Sequence, residues 1–106
     1  MVYRVLTAPG YDARFEAAVA YRLAYHGAGS ARRLIAAQEK AARLLTTTPY
    51  MGAPVDRHVD AVSEDALRWV PIDAYIAIYR PYPADEVVLM SDLFYASEDW
   101  RERLRS

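Results

Sequence analysis

The stretch that most constrains this chain runs through residues 67–95, LRWVPIDAYIAIYRPYPADEVVLMSDLFY. It is dense in Val, Ile, Leu, Tyr and Trp. The density breaks only at Asp73-Ala74 and at Pro81-Tyr82-Pro83-Ala84-Asp85, where turn-forming residues replace strand formers. The pattern predicts three consecutive strands in a meander. Within it Tyr75, Ala77 and Tyr79 share one face and Ile76, Ile78 and Arg80 the other, while Val88, Met90, Asp92 and Phe94 oppose Val87, Leu89, Ser91, Leu93 and Tyr95. Both faces are apolar at their centre, which fits a sheet with helices on one side and a partner on the other. Arg68 and Arg80 interrupt the apolar runs. A charge in a strand is tolerated mainly where its face meets solvent or a ligand, so these two residues are the first candidates for function.

What precedes the meander reads as the cover for one of its faces. Residues 2–7, VYRVLT, alternate as a first strand with Tyr3 and Val5 on one face and Val2, Arg4 and Leu6 on the other. After Ala8-Pro9-Gly10 a helix opens at Tyr11-Asp12, and Tyr11, Phe15, Val19 and Leu23 form one apolar stripe that ends near His26-Gly27. Ser30 is the expected N-cap of a second helix over residues 31–46, whose inward stripe is Leu34, Ile35, Gln38, Ala41, Ala42 and Leu45. A short link between two amphipathic helices makes an antiparallel hairpin. Thr46-Thr47-Thr48-Pro49 stops it. Residues 49–66 read as a surface loop, long enough to suggest a role of its own. After Tyr95, Ser97-Glu98-Asp99 starts one or two helical turns, with Trp100 and Leu104 as an apolar face that docks on the body or awaits a partner.

The expected fold is therefore α+β: a four-stranded, antiparallel-rich sheet in the order β-α-α-β-β-β on a two-helix hairpin, with a short C-terminal helical turn. At 106 residues the chain suits one domain spanning 1–106. No apolar run is long enough for a membrane span. The start MVYRVLTAPGYDARF carries Arg4, Asp12 and Arg14 where a signal peptide needs an unbroken apolar segment, so a cytoplasmic location is expected. With no cysteine there is no disulfide, thiol nucleophile or cysteine-ligated metal.

The net charge of −1 argues against a general nucleic-acid binder. Its distribution is uneven: residues 1–46 carry +4, residues 47–100 carry −7 and the last six carry +2. A basic helical half and an acidic sheet half should attract different partners.

The chemical inventory is narrow. There is no phosphate-binding glycine loop, nucleophile elbow or paired-histidine metal motif, and no cofactor or metal is expected. His26 and His58 fall at a helix end and in a loop. Glu64-Asp65, Asp85-Glu86 and Glu98-Asp99 are sequence neighbours in turns or at a helix start, not carboxylates converging from different elements. Arg68, Arg80 and Tyr95 remain, on neighbouring strands. Two guanidinium groups could clamp a phosphate while a tyrosine serves as acid or base. The alternative is that each arginine pairs with an acidic neighbour such as Asp92 or Asp73.

The order of elements, with the hairpin VAYRLAYHGAGSARRLIAAQEKAARLL, the spacing of Leu45, Pro49 and Gly52, Arg68 in the next strand, the strand YIAIYR and the ending DWRERL, resembles the RelE/ParE superfamily of type II toxin–antitoxin toxins over almost the whole chain. The resemblance implies a growth-inhibiting toxin neutralised by a cognate antitoxin. RelE-like members cut messenger RNA in the ribosome with basic sheet residues and a C-terminal tyrosine or histidine; Arg68, Arg80 and Tyr95 would fill those catalytic roles. ParE-like members inhibit DNA gyrase, lack that set and commonly end the last strand with a histidine, where this chain has Phe94-Tyr95. The acidic sheet half and the DWRERL ending favour the ParE-like branch and a non-enzymatic gyrase inhibitor. A ribosome-dependent endoribonuclease and a non-toxic module that only binds an antitoxin are the alternatives. An antitoxin segment is expected across exposed apolar surface as a helix or added strand, with Trp100, Leu104 and Phe94 as partner-binding residues. Sheet-edge pairing or the Trp100–Leu104 stripe could also join two copies.

Overall fold

A computed structural model describes residues 2–58 and 66–105. The elements follow in the order β1 (Arg4–Thr7), α1 (Pro9–His26), α2 (Ala28–Thr47), β2 (Ala53–Pro54), β3 (Arg68–Ile72), β4 (Tyr75–Tyr82), β5 (Val87–Tyr95) and α3 (Trp100–Arg105). They form an α+β fold in which the helical hairpin lies on one face of a five-stranded sheet ordered β1-β5-β4-β3-β2. β1 runs parallel to β5 and the other pairs are antiparallel. The sheet has one strand more than expected because Ala53-Pro54, inside the stretch read as a loop, pairs with Trp69-Arg68. Residues 59–65 of that stretch lie outside the described residues, and so do Glu64 and Asp65.

The hairpin forms for the reasons its pattern suggests, with shifted ends. Proline is suited to a helix start, where its missing N–H has no partner to lose, and α1 accordingly begins at Pro9 rather than Tyr11. Gly27, at φ +89°, makes the sharp link and α2 starts at the next residue. Ser30 is consequently a buried residue within α2 rather than its N-cap. Tyr11 is 1% exposed and donates its hydroxyl proton to Gln38 Oε1, while Gln38 Nε2 approaches Met90 Sδ at 3.7 Å. Gln38 thus stitches both helices to the sheet. Phe15 and Val19 pack on the core as expected, but Leu23 is exposed: a stripe at four-residue spacing drifts round the helix, and in the last turns Ala18 and Arg22 take the side that faces the sheet.

The sheet face beneath the helices buries Val70, Ile72, Tyr75, Ala77, Tyr79, Val88, Met90 and Leu93 with Leu34 and Leu45. Removing so much apolar area from water, at about 25 cal/mol per Å², is the main drive for this layer. The opposite face holds a smaller cluster of Ile76, Ile78, Phe94 and Trp100, with Trp69 and Leu104 packed against it. The alternation expected along β5 fails at one point. A register shift between Ile78 and Tyr79 leaves Ser91 as an extra residue between Asp92, opposite Ile78, and Met90, opposite Tyr79. This bulge puts Leu93 on the helical face and Phe94 on the other, so Phe94 no longer shares a face with Val88 and Met90.

β4 also runs further than expected, through Pro81 to Tyr82, with the turn beginning at Pro83. β3 starts at Arg68, opposite Tyr79, so Pro81 lies beyond the β3 ladder and its missing donor costs little. β1 covers only the first half of β5, and beyond Met90 the unpaired edge is closed by side chains. Arg14 Nη1 donates to the Leu93 carbonyl at 3.2 Å with its guanidinium 4.9 Å from the Phe94 ring, and Glu98 Oε1 accepts the Tyr95 N–H at 2.8 Å. Such capping removes a template for strand-to-strand aggregation.

Candidate partner-binding surface

β4 and β5 decide what each face presents. Residues directly opposite each other in an antiparallel pair point to the same side, and the next residue points away. Arg68 lies opposite Tyr79, which is buried under the helices, so Arg68 points into the helical side. Arg80 follows Tyr79 and points to the outer face, beside Leu89. Tyr95 lies opposite Tyr75 on the helical side, the two rings edge-on at 5.1 Å. The positions of Tyr75 and Tyr79 are four residues apart along β4, roughly 13 Å of strand. The three residues that sequence assembled as a catalytic set are thus divided between two faces and two ends of the sheet.

Arg68 is 1% exposed and has a structural setting. Its Nη1 donates to the Gly52 carbonyl at 2.8 Å and to the Tyr50 carbonyl at 3.4 Å, and its guanidinium lies 5.1 Å from the Tyr50 ring centre. The Gly52 N–H in turn donates to the Tyr79 hydroxyl at 2.9 Å. Burial pushes the Tyr79 phenol up from its ordinary value, outweighing the opposing effects of the Gly52 N–H and the Arg68 charge. The expectation that Arg68 meets solvent or a ligand is therefore corrected: it ties the segment after α2 to the sheet. Asp73 pairs with Arg22, and among the described residues neither Asp73 nor Asp92 forms an ion pair with Arg68 or Arg80.

The outer face is half covered. At one end α3 lays Trp100, 7% exposed, and Leu104 over Ile76, Ile78, Phe94 and Trp69, with the two indoles 5.7 Å apart. Of the three residues expected to bind a partner, Trp100 and Phe94 are buried in this cluster, while Leu104 is half-buried and still borders an open depression with Leu67, Arg101 and Arg105. At the other end the face is open: Arg4, Leu6, Tyr82, Asp85, Val87 and Leu89 line a shallow depression of about 420 Å³. Leu6 is 45% and Tyr82 39% exposed. Arg80 stands next to this depression, its Nε buried with no hydrogen-bond partner, and among the described residues neither Arg4 nor Arg80 has an acidic partner. The depression thus joins apolar side chains to Arg4 and Asp85, with Arg80 beside Leu89, a mixture of apolar and charged groups suited to contact with a protein.

The sequence reading missed Arg4, Leu6, Tyr82 and Leu89 as members of this surface. Their signal was the alternation of β1 and of the start of β5. What it lacked was the parallel pairing of Leu6 with Leu89 and of Arg4 with Val87, which no local pattern encodes. Among the described residues no group of three or more acidic or histidine side chains could hold a metal, and no helix is long and apolar enough to cross a membrane.

Comparison with known proteins places this geometry. No curated protein matches the chain significantly. The fold is similar to a chain of the chromosomal ParDE TA system from P. aeruginosa, with a TM-score of 0.68 at 11% identity, covering 91% of this chain and 98% of that one. It is also similar to a chain of the archaeal RelE-RelB complex from Pyrococcus horikoshii OT3, with a TM-score of 0.58 at 17% identity, covering 92% and 99% respectively. Residues 5–100 match the family described as the ParE toxin of the type II toxin–antitoxin system, parDE. Strand order, hairpin and sequence together therefore identify the chain as a member of the ParE toxin family of type II toxin–antitoxin systems.

Proposed function

We propose that this protein arrests bacterial growth by binding DNA gyrase without catalysing a reaction itself, and that a cognate antitoxin neutralises it by covering the outer sheet face. The observation that carries the reading is the register of β3 and β4, which sends Arg68 and Arg80 to opposite sides of the sheet. Two arginines so placed cannot grip one phosphate, and a strand-end tyrosine on the helical side cannot reach Arg80. The acidic balance of residues 47–100 also disfavours a broad RNA surface. What remains on the outer face is suited to protein: an open depression with Leu6, Val87 and Leu89 in its lining, Arg4 and Asp85 beside them, and Arg80 opposite Leu89. Gyrase and its DNA substrate share the cytoplasm, which is where this reading puts the toxin.

The test is a supercoiling assay with purified gyrase and relaxed plasmid, followed by detergent trapping of cleaved DNA. The expected result is loss of supercoiling with accumulated gyrase–DNA cleavage complexes, reversed by equimolar antitoxin. Unimpaired supercoiling, with messenger RNA cut in a translation extract, would overturn the reading in favour of a ribonuclease.

A further inference from the structure

A second surface lies at the tip of the helical hairpin, on the helical side of the sheet. The final turns of α1 carry Tyr21 and Tyr25 at 52% and 73% exposure, aromatic area that packing two helices on a sheet does not require. Tyr21 and Tyr25 are one turn apart, their ring centres 4.9 Å from each other, and the His26 ring lies 5.8 Å from that of Tyr21. Beside them is a depression of about 260 Å³ lined by Tyr21, Arg22, His26, Arg33, Tyr75 and Tyr95, with Ser30 and Asp73 completing its wall. It brings together the end of α1, the start of α2, the turn between β3 and β4 and the end of β5.

The charges in this wall are not balanced. Its one carboxylate, Asp73, is already paired with Arg22, whose guanidinium also lies 5.6 Å from the Tyr75 ring. Among the described residues Arg33 and its neighbour Arg32 have no acidic partner. The surrounding residues 1–46 carry +4. Aromatic rings that accept any base by its flat face, next to cations that meet phosphate, are how proteins hold a single strand without reading its sequence. An aliphatic helix would leave the tyrosine hydroxyls and the arginines unmatched, and a purely acidic peptide would leave the ring faces unused.

We infer that the hairpin tip binds single-stranded nucleic acid, stacking a base on Tyr21 and Tyr25 while Arg33 and Arg32 take the adjoining phosphates. This site is separate from the outer sheet face and does not depend on the gyrase reading. DNA and RNA offer it the same phosphate and base chemistry.

The experiment measures fluorescence anisotropy of fluorescein-labelled 12-nucleotide strands, one DNA and one RNA of the same sequence, titrated with the full chain at low salt. A duplex serves as control. Binding of either strand in preference to the duplex is expected, weakening steeply with added salt. Tyr21→Ala with Tyr25→Ala should weaken it roughly tenfold or more, and Arg32→Glu with Arg33→Glu should flatten the salt dependence. Arg80→Ala, on the other face, should retain it. A preference between the two strands identifies the natural ligand. Failure to bind either strand at low salt overturns the inference. So does binding that the hairpin substitutions leave intact while melting curves confirm folding. If the hairpin variants lose gyrase inhibition in a protein that binds neither strand, the tip is a protein-docking surface instead.

Discussion

The guanidinium of Arg68 donates to the carbonyl of Gly52 at 2.8 Å, across sixteen residues of chain, and both groups are buried. This bond and the one from the Gly52 N–H to the Tyr79 hydroxyl fasten the segment that leaves α2 onto the start of β3 and the middle of β4. A side chain that sequence nominated for catalysis thus holds the sheet to its connecting loop.

Replacing Arg68 should therefore unfold the protein before it alters any surface. Arg68→Ala leaves the Gly52 carbonyl without this donor and opens a cavity, at a cost of about 2–4 kcal/mol or a fall of roughly 10 °C or more in Tm. Arg68→Lys should recover only part, because an ammonium nitrogen can donate to the same carbonyls but lacks the planar guanidinium that packs over the Tyr50 ring. Urea denaturation of the two variants checks this. An unchanged midpoint would return Arg68 to the list of surface-acting residues.

Gly52→Ala tests the same junction from the other side. A Cβ at residue 52 would overlap the Trp69 carbonyl and lie 2.9 Å from the Tyr79 ring and hydroxyl, so the loop must lift from the sheet. A loss of about 1–3 kcal/mol is expected in chemical denaturation. Gly10→Ala, where nothing lies within 4 Å of the added atom, is the control that should not destabilise.

Arg80→Glu and Leu6→Asp should leave the melting temperature within a few degrees of the parent, since Leu6 is exposed and Arg80 only half buried. They should nevertheless abolish gyrase inhibition and weaken antitoxin binding by tenfold or more, because reversing a charge against a complementary partner, or placing a carboxylate in an apolar contact, costs more than the roughly 1.4 kcal/mol that a factor of ten represents. Isothermal titration with the antitoxin and the supercoiling assay measure the two effects on the same preparations.

Trp100→Ala should detach α3 and uncover Trp69, which its indole contacts at 5.7 Å. The expected signs are a red shift of the remaining tryptophan emission and a loss of about 3 kcal/mol. If emission does not move, Trp69 is shielded by something other than α3.

Alkaline pH should destabilise the fold through its buried tyrosines. Burial raises the phenol pKa of Tyr11, Tyr79 and Tyr75 above 10.0. In the unfolded chain these groups ionise near pH 10, whereas in the folded protein they stay protonated to higher pH. Their contribution is thus fully present below pH 10 and is lost as pH rises through the folded values, with a slope of up to about 1.4 kcal/mol per pH unit for each group. Tyr11→Phe and Tyr79→Phe should each flatten this slope in denaturation series run from pH 9 to about 12.

The hairpin, the meander and the two faces of β4 were legible in the sequence because helical and strand periods are local: Leu34, Ala41 and Leu45 recur on one helical stripe, and Tyr75, Ala77 and Tyr79 alternate with Ile76 and Ile78. A two-residue strand such as Ala53-Pro54 carries no period, and the extra residue at Ser91 looks like ordinary strand until its partner is known. The candidate site was less legible than the fold. Proximity of Arg68, Arg80 and Tyr95 in neighbouring strands suggested a cluster, but membership of a cluster depends on register, which joins residues distant in sequence.

By itself, then, the sequence determined the element types, the α+β class, the uneven charge and the family pattern, all of which follow from periodicity, composition and spacing. Only the tertiary structure decided which face each arginine serves. Pairing Arg68 with Tyr79 sends one guanidinium under the helices, and the pleat sends the other, one residue further along β4, to the open surface beside Leu89.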